Sequence, residues 1–367
     1  MSDRKEHRVR IALDLTPAVK PRRTGIGWYA AELAQALARQ IGPRDDLLLC
    51  TRLSRWRKRR HRPACAGPRV RQRWYQAPFG PRSAPDVFHG TDARLPQRCR
   101  AALVATVHDV FSLESERYAN AQFRERKRAQ YGDIARRAAR IIFVSAATQR
   151  AYLEHFPDAA TRGAVVPLGI DPRFAPAPRD TLAETRRRLG LPEEYALYVG
   201  EISVRKNLPT QARGLALSGT DLPWVWVGAD SYGAGPILEA VHAVQGLRVL
   251  RPGYLAAEDL PAVYSGAALL TFATFSEGFG LPALEAMACG TPALIADRGA
   301  LPEVTGGCAL AADPESAEAI GAAIRRLAQD ESLRDELRVR GLEWVRPFTW
   351  ERTARETLAV YRSAVAD

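Results

Sequence analysis

The sequence predicts an α/β protein built from two doubly wound, Rossmann-like domains facing a cleft. Three observations carry that prediction. Short β-rich runs alternate with helical stretches along the chain. Several of those runs are apolar almost without interruption. The alternation breaks once, at the proline-rich, aperiodic segment 169–180 (GIDPRFAPAPRD), and then restarts. Near-continuous apolar strands imply parallel sheets covered on both faces. At 367 residues the chain also exceeds what one core usually supports.

The first strand is VRIALDL (9–15). In 27–41, Ala30, Leu33, Ala34, Leu37 and Ile41 form one helical stripe. Strands follow at 46–51, 86–91, 102–109 and 141–145, with a basic helix over 123–139 and a closing strand at 163–168. After the break, strands are expected at 195–200, 224–228, 248–253, 268–273 and 292–297, with helices between them. The tail reads as helices near 315–328, 331–343 and 349–365. The expected domains are 1–172, on the side of the accepting substrate, and 173–347, which would bind the phosphate-bearing ligand, followed by a tail helix in 348–367. Doubly wound sheets bind ligands beyond the carboxyl ends of their strands. The cleft between two such domains is therefore the expected site.

Composition excludes several classes. Hydrophobic residues make up 46% and charged residues 26%, the balance of a globular chain. No run approaches the ~20 apolar residues that span a bilayer. The N-terminus MSDRKEHRVRIALDL is charged, with an apolar run of a single strand's length, so no export signal is expected. Cys50, Cys65, Cys99, Cys289 and Cys308 have neither metal spacing nor a disulfide framework. A reduced, cytoplasmic protein is the expectation. Much of the net charge of +12 lies in 51–74 (TRLSRWRKRRHRPACAGPRVRQRW). That segment has two readings: a solvated loop, or a surface for an anionic membrane face. No zinc-finger spacing or aromatic RNP motif accompanies it, so nucleic acid is not an expected partner.

The segment ALLTFATFSEGFGLPALEAMACG reads as strand, loop and helix. Pro282 suits the first helical turn, where its missing N–H costs nothing. Gly278 and Gly280 remove side chains where the chain approaches the helix start. Backbone N–H groups there form an anion site aided by the helix dipole. Glu285 is out of keeping with that helix, since it falls about 40° from Leu281 on the Leu281–Leu284–Ala288 face. A rim glutamate reaching water is one reading. The other is a carboxylate that accepts hydrogen bonds from the hydroxyls of a phosphate-bearing ligand. A nucleotide diphosphate carrying a sugar explains both features. Arg205 and Lys206, just past the strand in YVGEISVRKNL, suit a diphosphate. Gly25 and Gly27 are read as a loop between the first strand and helix, and His108 with Asp109 as the end of another strand.

Taken together, these residues resemble glycosyltransferase family 4, retaining enzymes of the GT-B fold that use nucleotide sugars. The resemblance is best over 195–305, in YVGEISVRKN, the E-x7-E segment from Glu277 to Glu285, and LPEV. It extends to TGIGWYAAEL, DVFHGT, TVHD, FVSAAT, VVPLGID and FTWERTARETLAVY. It implies that Glu285 binds ribose hydroxyls and Glu277 the hydroxyls of the donor sugar. Backbone near Phe279, Gly280 and Leu281 would hold phosphate. Arg205 and Lys206 would hold the diphosphate and stabilise its departure, and His108 would hydrogen-bond the sugar. The Gly25–Gly27 loop would close over the phosphates, and the tail helix would return to the N-terminal domain. The base would sit near Arg251, Gly253 and Tyr254. Three positions depart from the family pattern: Leu168, Ser203 with Val204, and Glu201, where some members carry arginine.

The expected reaction is transfer of a hexose from a nucleotide sugar to a glycan or lipid-linked glycan. GDP-mannose is the expected donor, and surface polysaccharide synthesis the expected setting. No Asp-X-Asp segment suggests a metal, and none is expected. The resemblance implies a front-face reaction in which the departing phosphate helps to remove the acceptor's proton. The expected location is cytoplasmic, with contact to the inner membrane face through the basic segment. The competing readings are a phosphorylase or epimerase of the same fold, and a basic surface-binding protein without activity.

Overall fold

The computed structural model describes residues 8–82, 84–231, 233–253 and 255–366. They form two compact units. Unit 1 runs to Glu114, resumes over Ala121–Gly169 and takes in the chain from Phe348 onward. Unit 2 holds Ser115–Asn120 and Ile170–Pro347.

Unit 1 contains seven parallel strands: β1 (Arg10–Asp14), β2 (Asp46–Arg52), β3 (Val70–Tyr75), β4 (Val87–Gly90), β5 (Ala102–Val107), β6 (Arg140–Phe143) and β7 (Gly163–Val165). Their order is β3-β2-β1-β4-β5-β6-β7. Unit 2 contains β8 (Ala196–Val199), β9 (Trp224–Val227), β10 (Val249–Leu250), β11 (Leu269–Phe272), β12 (Ala293–Ala296) and β13 (Leu310–Ala312), ordered β10-β9-β8-β11-β12-β13. Both sheets grow outward from their first strand, then return to its other side. That reversal is a topological switch point, the place where doubly wound folds bind ligands. The apolar strands are buried on both faces: Ile11, Leu13, Trp224, Val225, Leu269 and Leu270 are at most 2% exposed.

Several local expectations change. The closing strand stops at Val165, because Pro167 cannot donate to a ladder. The basic segment 51–74 is not simply a loop. Leu53–His61 winds as a 3-10 helix, and β3 pairs in parallel with β2 from Leu47↔Val70 to Arg52↔Tyr75. Arg71 and Arg73 point to solvent, charges typical of an edge strand that must not recruit another chain. Past Gly169, the segment expected as a linker is part of unit 2: Phe174 meets Tyr264 edge-on at 5.8 Å, and Ala177 N donates to Ser265 Oγ at 3.0 Å.

The helix Trp350–Ala366 lies in unit 1, as the resemblance implied. Thr353 Oγ1 donates to Pro167 O at 2.8 Å, and Arg39 pairs with Glu351 at 2.8 Å. Deeper, Tyr361 Oη meets His89 Nδ1 at 2.6 Å, His89 Nε2 meets Thr106 Oγ1 at 2.7 Å, and Thr106 meets Tyr29 Oη at 2.8 Å. This buried polar chain ties the last helix through β4 and β5 to the helix Gly25–Gln40. Burial holds the His89 imidazole down, to about 3, so it is neutral.

Candidate active site

The switch point of the second sheet lies between β8 and β11, which pair in parallel. The connections that follow them are stitched together by backbone and amide groups. Phe275 N donates to Arg205 O at 2.9 Å. Asn207 adopts the left-handed conformation (φ 57°) before the helix Leu208–Leu217, and its amide donates to Ala273 O at 3.0 Å and Pro314 O at 2.6 Å. Gln211 Oε1 accepts from Ala273 N at 3.2 Å. These bonds bring Arg205 and Lys206, expected as diphosphate ligands, against Glu277 from the next connection.

Lys206 Nζ lies 2.6 Å from Glu277 Oε1, and Arg205 lies 3.1 Å from the same oxygen. All three side chains are at most 12% exposed. Burial pushes the Glu277 carboxyl up, but Lys206 and Arg205 outweigh it and hold the group below the usual glutamate range. Burial pulls the Lys206 ammonium below its usual value despite Glu277. Arg205 also donates to Ser276 O at 2.8 Å and pairs with Glu201 at 3.4 Å. The sequence reading gave these residues separate duties; the structure joins them in one network. Two cations against one buried carboxylate leave positive charge at the switch point, with Glu201 as its exposed counterweight.

Beyond Glu277 the chain turns at Gly280 (φ 102°), which caps the helix Leu281–Ala288. A Cβ there would collide with the Leu301 side chain, so the position demands glycine twice over. Phe279 is buried, and Pro282 sits in the first turn. Glu285 is half-buried one turn further on, and its Oε2 accepts from Tyr264 Oη at 2.7 Å. Burial raises this carboxyl to about 7, partly offset by Tyr264, with Asp171 adding to the rise and Arg173 opposing it. The sequence reading missed Tyr264, Asp171 and Arg173. A hydroxyl buried in a short apolar helix, and an acid–base pair in a proline-rich segment, have no periodic signature.

The remaining candidates lie elsewhere. Gly25 and Gly27 do not form a loop; they are in the first turn of the helix Gly25–Gln40. A Cβ at Gly27 would come within 2.9 Å of Pro17 O, so this glycine permits close packing of the helix start. His108 is half-buried past β5, donates from Nε2 to Thr91 O (2.8 Å), and packs edge-on against Tyr29 at 4.6 Å. Burial pulls its imidazole down, to about 4, although the Thr91 bond opposes this. Arg251 pairs with Asp230, and Gly253 is in the left-handed region (φ 84°). Tyr254 lies outside the described residues. Among the described residues no three His, Cys, Asp or Glu side chains cluster as a metal set.

Residues 23–174 match the model of Glycosyltransferase Family 4, and 183–344 match that of Glycosyl transferases group 1. The chain is 31% identical over 293 residues to an O-antigen chain mannosyltransferase B of Escherichia coli, covering 75% of this chain and 74% of that one. The chain belongs to glycosyltransferase family 4. This glycosyltransferase has the GT-B fold. Sucrose-phosphate synthase from Thermosynechococcus elongatus aligns over 98% of this chain and 100% of its own, with TM-score 0.75 and 24% identity. Anabaena HepE, solved with UDP and glucose, aligns over 97% and 100% with TM-score 0.75 and 17% identity. Likeness at that identity shows the fold alone. Among the described residues no helix of the glycosyltransferase is long and apolar enough to cross a membrane.

Proposed function

We propose that this glycosyltransferase moves mannose from GDP-mannose, with retention, onto a glycan or lipid-linked glycan during surface polysaccharide synthesis. The observation that carries the reading is the arrangement around Leu281–Ala288. Glu285, a half-buried carboxylate able to accept from hydroxyls, and Glu277, held by Arg205 and Lys206 from the neighbouring connection, lie at two ends of one loop-helix. A nucleotide sugar has hydroxyls and a diphosphate to match. The O-antigen mannosyltransferase relative supports the choice of sugar.

In this reading Arg205, Lys206 and the backbone at Phe279–Leu281 meet the charge that grows on the departing diphosphate. Fixed cations can do this without a metal. Glu277, buried between cations and held below its usual range, is a poor nucleophile, which favours front-face departure over a glycosyl-enzyme intermediate. His108 is neutral near pH 7 and suits a hydrogen bond to a sugar hydroxyl.

The test is a thermal-shift panel of UDP, GDP, ADP and their sugar conjugates on wild type and Glu285→Ala. A ligand at a hundred times its dissociation constant stabilises by about 2.7 kcal/mol. GDP and GDP-mannose are expected to stabilise wild type but not the variant. A shift confined to UDP would replace the donor, and none with any nucleotide would overturn the reading.

A second feature favours contact with an anionic membrane face. Within the basic turn Leu53–His61, Leu53 and Trp56 are 43% and 49% exposed, and Trp56 carries Arg59 over its ring at 5.2 Å. Exposed apolar side chains among cations suit an acidic lipid interface.

A further inference from the structure

The ends of β2 and β3, the connections after β3 and β4, and the helix Ala121–Arg137 line a cavity of about 610 Å3 in unit 1 for which the reading above has no use. Its charged lining is Arg52, Arg94 and Arg126 against one carboxylate, Asp133. Asp133 is occupied by its own helix, pairing with Arg137 at 2.7 Å and Arg136 at 3.7 Å. Arg52 reaches buried Asp14 at 3.3 Å, and Arg94 reaches Asp92 at 3.3 Å. Burial, with Asp14 nearby, pushes the Asp92 carboxyl up, against the opposing pull of Arg94 and Arg52. Arg126 is exposed, lies over the Phe123 ring at 5.1 Å, and has no carboxylate partner among the described residues. The lining therefore carries an excess of guanidinium charge.

We propose that this cavity binds an anionic sugar, a monosaccharide-sized group bearing a phosphate or a carboxylate, on the substrate that receives the transferred residue. The accepting role rests on the glycosyl-transfer reading; the binding chemistry does not. The cavity opens beyond the carboxyl ends of parallel strands, where such sheets take ligands, and its volume is that of a small-molecule site. Guanidinium groups bind phosphate or carboxylate through paired N–H donors. Gln130, also in the lining, has its side-chain oxygen buried without a hydrogen-bond partner. A hydroxyl-bearing ligand can relieve that state. The arginines alone would suit any small anion; the glutamine adds the reason to expect a sugar.

The experiment titrates mannose 6-phosphate, glucuronate, mannose and inorganic phosphate into wild type, Arg94→Gln, Arg126→Gln and Arg205→Ala, with calorimetry as the readout. Arg94 and Arg126 are exposed, so their variants should fold, and GDP stabilisation serves as the check. Mannose 6-phosphate or glucuronate is expected to bind wild type and Arg205→Ala equally, and at least about tenfold more weakly to each cavity variant. The stronger of the two probes tells phosphate from carboxylate. Binding of neutral mannose as tightly as its phosphate overturns the proposal, as does inorganic phosphate matching the sugar phosphate. So does sugar-acid binding that survives both cavity variants or vanishes in Arg205→Ala. If wild type binds no nucleotide yet shows the expected sugar-acid pattern, the donor reading fails and the cavity assignment stands.

Discussion

Lys206 Nζ and Glu277 Oε1, 71 residues apart in sequence, meet at 2.6 Å in the second unit. The contact joins the connections after β8 and β11 and is almost closed to solvent. Removing the carboxylate alone strands two buried cations. Glu277→Ala is therefore expected to lose about 3–5 kcal/mol in urea denaturation. Glu277→Ala with Lys206→Met should lose less than the two single variants summed. A single variant within about 1 kcal/mol of wild type would show that the network contributes little. Because the folded Glu277 value is lowered, its stabilisation is present above the unfolded value and fades as pH falls through the folded one.

Glu285 behaves in the opposite sense. Its folded value is raised to about 7, so folding favours the protonated form. Stability is lost as pH climbs from the ordinary glutamate value through 7. Glu285→Gln keeps an acceptor for Tyr264 without the charge. It is expected to be more stable than wild type at pH 8 by about 1–3 kcal/mol, and indistinguishable at pH 4. The same substitution should abolish nucleotide stabilisation. Melting curves at the two pH values decide it, and equal differences at both would refute the assignment of the titration to Glu285.

At Gly280, alanine must hold a φ of 102° and push Leu301 aside. Gly280→Ala should cost about 1–3 kcal/mol and weaken nucleotide binding together with stability. Gly253→Ala, at a similar φ but with open space around the new methyl, should affect stability less. Parallel denaturation curves compare the two.

The buried chain through His89 predicts how the last helix is held. Tyr361→Phe leaves His89 Nδ1 without its partner and should cost about 1–3 kcal/mol. Amide exchange should quicken across 350–366 before the rest of unit 1. Since burial lowers the His89 imidazole to about 3, this part of the fold should weaken as pH drops below the ordinary histidine value. Uniform exchange across unit 1 would argue against a local latch.

Vesicles test the basic turn. Sedimentation with phosphatidylserine vesicles should fall steeply as salt rises. Replacing Arg55, Arg57, Arg59 and Arg60 by Gln should have the same effect. Binding unchanged by both would leave the turn as a solvated feature.

Much of this was legible in the chain. Strands such as WVWV and RIALD announce themselves because parallel sheets are apolar on both faces. The Gly-Phe-Gly-Leu-Pro turn is legible because only certain residues tolerate its backbone. Edge elements were harder to read. VRQRWY forms β3 although Arg71 and Arg73 break the apolar run, because pairing with β2 outweighs a weak local preference.

The sequence by itself singled out the candidate groups: two glutamates, two cations and a glycine turn, each set by side-chain type and local backbone. Tertiary structure decided what those groups are. It placed Arg205 and Lys206 on Glu277 rather than in open solvent, and it set a half-buried Glu285 against Tyr264, with its carboxyl raised to about 7. It also turned Gly25 and Gly27 from a supposed loop into a helix start. The reason is physical. A residue's identity and its near neighbours fix local backbone preference, whereas charge pairing and desolvation depend on groups 21 or 71 residues away that only the folded sheet brings within reach.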